Sequence, residues 1–330
     1  MATPWRTPNR RRGVRALAAV SCLWVLGAAC SRPSTHVVDD APPGWHLTWS
    51  DEFHGPALDS ARWHPQQGNG FWSADRTTYV TGWGNAEQQC YTGDTANVRV
   101  ADGMLSIVAR RESVRDVASR DTTARCLFTS ARLVTRAADG QALFAQTYGR
   151  FAFRARLPEG QGLWPALWLL PLTDRYGTWA ASGEIDVMEA RGQLPTRVLG
   201  TLHYGARWPG NVHTGDSLEL PRGGRMTDFH VYALEWEPGR IRWFVDDSLY
   251  QEQSAWWSSA RSDSAGMGAT PTGPVDHHPF PAPFDQPFYL VMNLAVGGNF
   301  LGSPDTTTPF PASLQVDWVR VYARDSTRLR

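Results

Sequence analysis

The chain has 330 residues, enough for one large domain or two modest ones, with an apolar content ordinary for a globular protein. All 32 basic residues are Arg, which excludes Schiff-base, phosphate-loop and Ser/Lys chemistries that need a lysine amine. Five of those Arg fall in the first 29 residues, where there is no acid, so the remainder is mildly acidic and nucleic acid is a poor partner.

In chain order the first element is a leader. Arg6, Arg10, Arg11, Arg12 and Arg15 precede the apolar run Ala16–Ala29, which is short for a membrane span and has the layout of a signal peptide over residues 1–29. Leu26-Gly-Ala-Ala before Cys30 resembles a bacterial lipobox, with Gly27 where a branched apolar residue is usual. The expectation is an exported protein, anchored through a lipidated Cys30 at the cell surface or in the periplasm, with ordinary secretion as the alternative. Residues 30–43 are a tether, 44–324 the folded domain and 325–330 a tail. An oxidising compartment permits Cys90 and Cys126 to pair, and their spacing leaves the pairing open. No His cluster joins them, so they make no zinc site.

Beyond residue 44 the pattern is one of short alternating segments divided by turns. Asn97–Val100 and Leu105–Ala109 flank a hairpin turn at Asp102-Gly103. In Gly149–Leu157, Phe151, Phe153 and Ala155 alternate with Arg150, Arg154 and Arg156, which reads as a half-buried strand. His230–Trp236 and Arg240–Val245 form another hairpin about Glu237-Pro-Gly, Leu249–Gln253 follows, and Leu314–Ala323 closes the chain. Residues 258–286 form one long surface loop, in which His277 and His278 read as solvated. No long stretch has the helical period with caps at both ends. An all-β sandwich or barrel follows. Of the 16 tryptophans, any single one is more readily core than platform. So many still favour a carbohydrate ligand, whose flat C–H faces stack on indole.

The chemistry concentrates in Ser182-Gly-Glu-Ile-Asp-Val-Met-Glu-Ala190, with three carboxylates in six residues. Glu184 and Asp186, two apart, share a strand face, whereas Glu189 should point the other way. A one-residue β-bulge near Val187–Met188 would bring all three to one side. Close carboxylates raise one another's pKa, as a retaining glycosidase needs for a nucleophile and a proton donor side by side. A calcium site or a chance acidic edge would explain the spacing equally well.

At these residues the chain resembles glycoside hydrolase family 16, in particular its bacterial laminarinase-like (endo-β-1,3-glucanase) members, from about Trp45 to Tyr322. The resemblance is carried by Trp49-Ser-Asp-Glu-Phe53, Gly84-Asn-Ala-Glu-Gln-Gln-Cys-Tyr-Thr92, Thr129-Ser-Ala-Arg-Leu133 and Gly162-Leu-Trp-Pro-Ala-Leu-Trp168. Gly183–Glu189, Thr201-Leu-His-Tyr-Gly205, Asn293-Leu-Ala-Val-Gly-Gly-Asn299 and Val316-Asp-Trp-Val-Arg-Val-Tyr322 complete it. The chain departs from the family pattern at Ala86, Cys90, Ala180 and Phe300-Leu301, where Trp-Pro is common.

The resemblance implies a β-jelly-roll sandwich of two curved antiparallel sheets with a cleft on the concave face. It implies a retaining endo-acting hydrolase of laminarin-like β-1,3-glucan, a monomer needing no cofactor for its chemistry. Glu184 would be the nucleophile, Glu189 the acid/base and Asp186 their assistant. Trp164, Trp168 and Trp179 would line the cleft, His203 would sit near Glu189, and Asn85 and Arg132 would meet sugar hydroxyls on the non-reducing side. Glu52, the Gly103 carbonyl and Asp317 would hold a structural calcium ion. Asp317 shares parity with Val319 and Val321, so its carboxylate would enter an apolar layer and need a partner, calcium or Arg alike. Trp168 as core, His203 as a satisfied core histidine and Arg132 as an outer-face charge are the plainer alternatives. A mixed-linkage glucanase, another polysaccharide hydrolase and a noncatalytic glucan-binding protein share the fold.

Overall fold

Alternation of apolar and polar residues builds two stacked sheets in the computed structural model, which describes residues 41–73, 75–260 and 276–325. The expected leader with Cys30, most of the expected tether, residues 261–275 and the last five residues lie outside the described residues. The outer sheet has ten strands. Its central order is Ser248–Gln253, Arg240–Val245, His230–Glu237, Gly149–Arg156, Ala312–Arg324, Met104–Arg115, Arg125–Ser130 and Gln89–Tyr91. Trp45–Asp51 and Val98–Ala101 add to Ala312–Arg324 and Met104–Arg115. The cleft sheet has seven, in the order Asn211–Glu219, Arg197–Gly205, Glu184–Ala190, Leu163–Pro171, Phe288–Val296, Arg132–Val134 and His64–Pro65. Pairing is antiparallel throughout the cleft sheet, and the outer sheet has one parallel edge pair, Gln89–Tyr91 on Arg125–Ser130. This is the jelly-roll sandwich that the strand pattern implies.

The core lies between the sheets. Phe151, Phe153, Leu234, Trp236, Trp243 and Val321 from the outer sheet meet Leu167, Leu169, Ile185, Leu202, Leu290 and Met292 from the cleft sheet, all fully or almost fully buried. At about 25 cal/mol per Å2 of apolar surface removed from water, these large side chains dominate the stabilisation. The hairpin turn at Asp102-Gly103 forms as expected, with both residues at positive φ (54° and 73°), the backbone of a two-residue type I′ turn. Cys90 and Cys126 are disulfide-bonded and tie the edge strand of the outer sheet, Gln89–Tyr91, to its neighbour Arg125–Ser130.

At Asp317 the structure differs from the expectation. The pairing of Gly149–Arg156 with Ala312–Arg324 slips between Arg154 and Ala155, so the register jumps from Val316 to Trp318. Leu314 and Val316 face the core, and so do Val319 and Val321; the residue inserted between them resets the alternation. Asp317 is therefore partly exposed and ion-paired with Arg154, outside the apolar layer. Glu52 accepts from two Arg320 nitrogens, Nε and Nη2, each at 2.9 Å. The two carboxylates expected to ligate calcium are each met by a guanidinium, and a Cβ on Gly103 would lie 3.4 Å from the His54 ring.

Candidate active site

The strand Glu184–Ala190 carries the bulge. Opposite Arg197–Gly205 its register runs Glu184 to His203, Ile185 to Leu202 and Asp186 to Thr201, then jumps to Glu189 opposite Leu199. The same jump occurs against Leu163–Pro171, where Trp168 faces Asp186 and Leu167 faces Met188. Val187 and Met188 both enter the core beside Ile185 and Ala190, which returns Glu189 to the face of Glu184 and Asp186. A bulge breaks the hydrogen-bond ladder, and the Asp186 carbonyl finds its partner across the sandwich in the Trp243 indole, at 2.8 Å. Gly200, on the adjoining strand between the partners of Asp186 and Glu189, makes room. A Cβ there would lie 2.4 Å from the Trp243 ring.

Each outer acid has one indole donor. Trp179 donates Nε1–H to Glu184 Oε2 at 2.8 Å, and Trp164 donates to Glu189 Oε1 at 3.0 Å. His203 Nε2 stands 3.4 Å from Asp186 Oδ2 and 3.7 Å from Glu184 Oε1. Its ion-pair contacts are thus with the first two acids of the cluster, where proximity to Glu189 was expected. Burial, followed by the Asp186 charge, lifts the pKa of Glu184 to about 7 and that of Glu189 to about 8. Burial alone would push His203 down, but the Asp186 contact and the charges of Glu184 and Glu189 raise it to about 9. The donor atoms of Glu184, Asp186 and His203 lie within 4.8 Å of one another, close enough to gather on a cation. At neutral pH the imidazolium already supplies the positive charge there. Two carboxyl groups with raised pKa, an adjacent third carboxylate and oriented donors can attack an acetal carbon and move a proton to its leaving oxygen.

The structure brings Trp168 and Arg132 together on the same face. Trp168 is half-buried and donates Nε1–H to Asn293 at 2.6 Å. The Arg132 guanidinium lies 4.6 Å from the Trp168 ring and 4.5 Å from that of Trp83, with Nε on Gln66 at 2.6 Å. Arg132 is 7% exposed, a cleft residue and no outer-face charge. Asn85 is exposed, with Nδ2 3.5 Å from Glu87 Oε1.

Sequence reasoning placed this segment in the cleft but gave a role to Asn85 alone and none to the floor beneath it. Glu87 is buried and accepts from Gln89 at 2.7 Å and Tyr91 at 3.0 Å, while Asn293 donates to the Tyr91 hydroxyl at 3.1 Å. Burial raises the Glu87 pKa, against the opposing pull of Gln89 and the Arg132 charge. The signal was present in the polar residues at every second position, 85, 87, 89 and 91. Trp83 carries no such mark.

Comparison with known proteins finds similar chains. Residues 127–261 match the family model described as glycosyl hydrolases family 16. The chain is 44% identical over 86% of its length to the glucan endo-1,3-beta-glucosidase A1 of Niallia circulans, of which it spans 39%. It is 43% identical over 86% of its length to a beta-glucanase of Rhodothermus marinus, of which it spans 87%. The solved endo-beta-1,3-glucanase of Pyrococcus furiosus superposes with a TM-score of 0.67 at 34% identity, over 85% of this chain and 95% of that one.

Proposed function

The chain belongs to glycosyl hydrolase family 16, and on that premise we propose that it is a retaining endo-acting hydrolase of β-1,3-glucans such as laminarin. Glu184 is the nucleophile and Glu189 the acid and base. In the first step the ionised Glu184 attacks the anomeric carbon while Glu189 gives its proton to the departing oxygen, leaving a sugar ester on Glu184. In the second step Glu189 takes a proton from water as that water attacks the same carbon, Glu184 is released and the anomeric configuration is retained. Trp179 orients the nucleophile, and Asp186 with His203 sets the local charge. The observation that carries the reading is the bulge at Val187–Met188, which turns both glutamates to one face.

The reading extends beyond the chemistry. A single chain supplies every group named above, so a monomer suffices. The arginine-rich leader and Cys30 support export with a lipid anchor. No calcium enters the proposal, because Arg320 and Arg154 already meet the carboxylates of Glu52 and Asp317.

Sizing the sugars released from laminarin, barley mixed-linkage glucan and agarose tests the substrate. Short oligosaccharides from laminarin, with none from agarose, are expected. Glu184→Gln should abolish hydrolysis and keep glucan binding. Full activity in that variant removes the nucleophile, and inertness of the wild type on all three glycans revives the binding-protein alternative.

A further inference from the structure

An indole on an open sheet face is free to turn about its two side-chain torsions unless something packs against it. Trp164 is packed by a turn, the one that follows the strand Phe288–Val296. The Phe300 ring lies 5.0 Å from that of Trp164, centroid to centroid, inclined by 36°. The Arg191 guanidinium lies 4.1 Å from the Phe300 centroid and belongs to the residue directly after the strand that carries Glu189. Cation–π contact of this kind favours one ring orientation.

The turn itself is pinned. Asn299 N–H donates to the Asn85 carbonyl at 2.7 Å and Gly302 N–H to the Gly298 carbonyl at 2.9 Å. The Leu301 carbonyl accepts from the Gln161 and Gln193 amides at 2.9 and 3.1 Å. Backbone also abuts the indole, since a Cβ on Gly298 would come 3.3 Å from its ring.

We propose that Phe300, held by Arg191, is a positioning residue that keeps the Trp164 indole N–H on Glu189. The inference rests on the reading of Glu189 as acid and base. The charged groups that face Glu189 are Glu184 and Asp186 from its own strand and His203 from the neighbouring one. Trp164, from the strand on the other side, is the neutral donor. An N–H aimed at a carboxylate favours the ionised form and opposes burial. Without the stack the indole swings, Glu189 holds its proton more tightly, and donation to the leaving oxygen slows.

The test is the pH profile of laminarin hydrolysis for Phe300→Leu, Phe300→Trp, Arg191→Met and Trp164→Phe. In Phe300→Leu kcat should fall roughly three- to tenfold and the alkaline limb of kcat/KM should move up by roughly half a pH unit or more. Arg191→Met should give a smaller shift of the same sign, and carries the test if Phe300→Leu does not fold. Trp164→Phe, which keeps a ring but lacks the N–H, should move the limb as far as Phe300→Leu, while Phe300→Trp should restore both limb and rate. A limb that stays in place in Trp164→Phe, or in both Phe300→Leu and Arg191→Met, overturns the inference whatever the loss of rate. Glu189→Gln in the same series separates the two levels: full activity there defeats the acid/base reading itself.

Discussion

Glu184 and Glu189 are the same side chain, and what distinguishes them is their surroundings. Each is half-buried and largely desolvated, each accepts from one indole, and both feel the Asp186 charge. His203 stands nearer to Glu184, within 3.7 Å, and favours its ionised form more directly. On the proposed mechanism that asymmetry suits Glu184 to be the nucleophile and Glu189 to hold the proton. With the pair raised to about 7 and about 8, kcat/KM should follow a narrow bell with its maximum near neutral pH. The acid limb reports protonation of the nucleophile and the alkaline limb loss of the donor proton. On an aryl glycoside with a strongly acidic leaving phenol, which needs no proton, Glu189→Gln should keep the acid limb and lose the alkaline one. A profile with both limbs intact in that variant would reverse the roles.

The bulged strand is the element on which the site depends, and it is held from the opposite sheet. Trp243 fills the core and also satisfies the Asp186 carbonyl that the bulge leaves without a ladder partner. In Trp243→Phe that buried carbonyl loses its donor, which costs about 1–3 kcal/mol. The strand is then free to relax its kink, and Glu189 loses its aim. The urea midpoint should fall, and kcat on laminarin should drop roughly tenfold, in keeping with the sensitivity of catalysis to misplacements of about 1 Å. A variant as stable and as fast as the parent would show that the bulge needs no support from Trp243. The acids and their spacing were legible in Gly183–Glu189, and so was the need for a kink. The indole that stabilises it was not, since Trp243 lies 57 residues away and on the other sheet.

At the scale of the molecule the site costs stability. Folding raises the pKa of both glutamates well above the ordinary 4.5 and that of His203 above 6.5. Between pH 4.5 and about 8 the folded chain therefore binds protons that the unfolded chain has lost, and stability declines as pH rises through that window. The His203 contribution fades later, as pH passes about 9. Glu189→Gln removes one of these desolvated ionisable groups. Its thermal midpoint should match the wild type near pH 5 and exceed it at pH 9 by on the order of a few degrees, measured by calorimetry. Equal midpoints at both pH values would show that burial does not raise the Glu189 pKa.

By itself the sequence determined the strands, the turns and the chemical nature of the site. Period-two alternation and residues such as Asp102-Gly103 act within a few positions, where the backbone alone sets which side a residue faces. It also placed Glu184, Asp186 and Glu189 in a single segment. Only the tertiary structure decided what burial and distant partners do to those residues. A second bulge turned Asp317 away from the apolar layer, and Gln66, Glu87, Arg132 and Asn293 converged from four separated segments into one polar floor. Desolvation, charge coupling and the pairing of an orphaned carbonyl depend on groups brought together by folding, and no local pattern contains them.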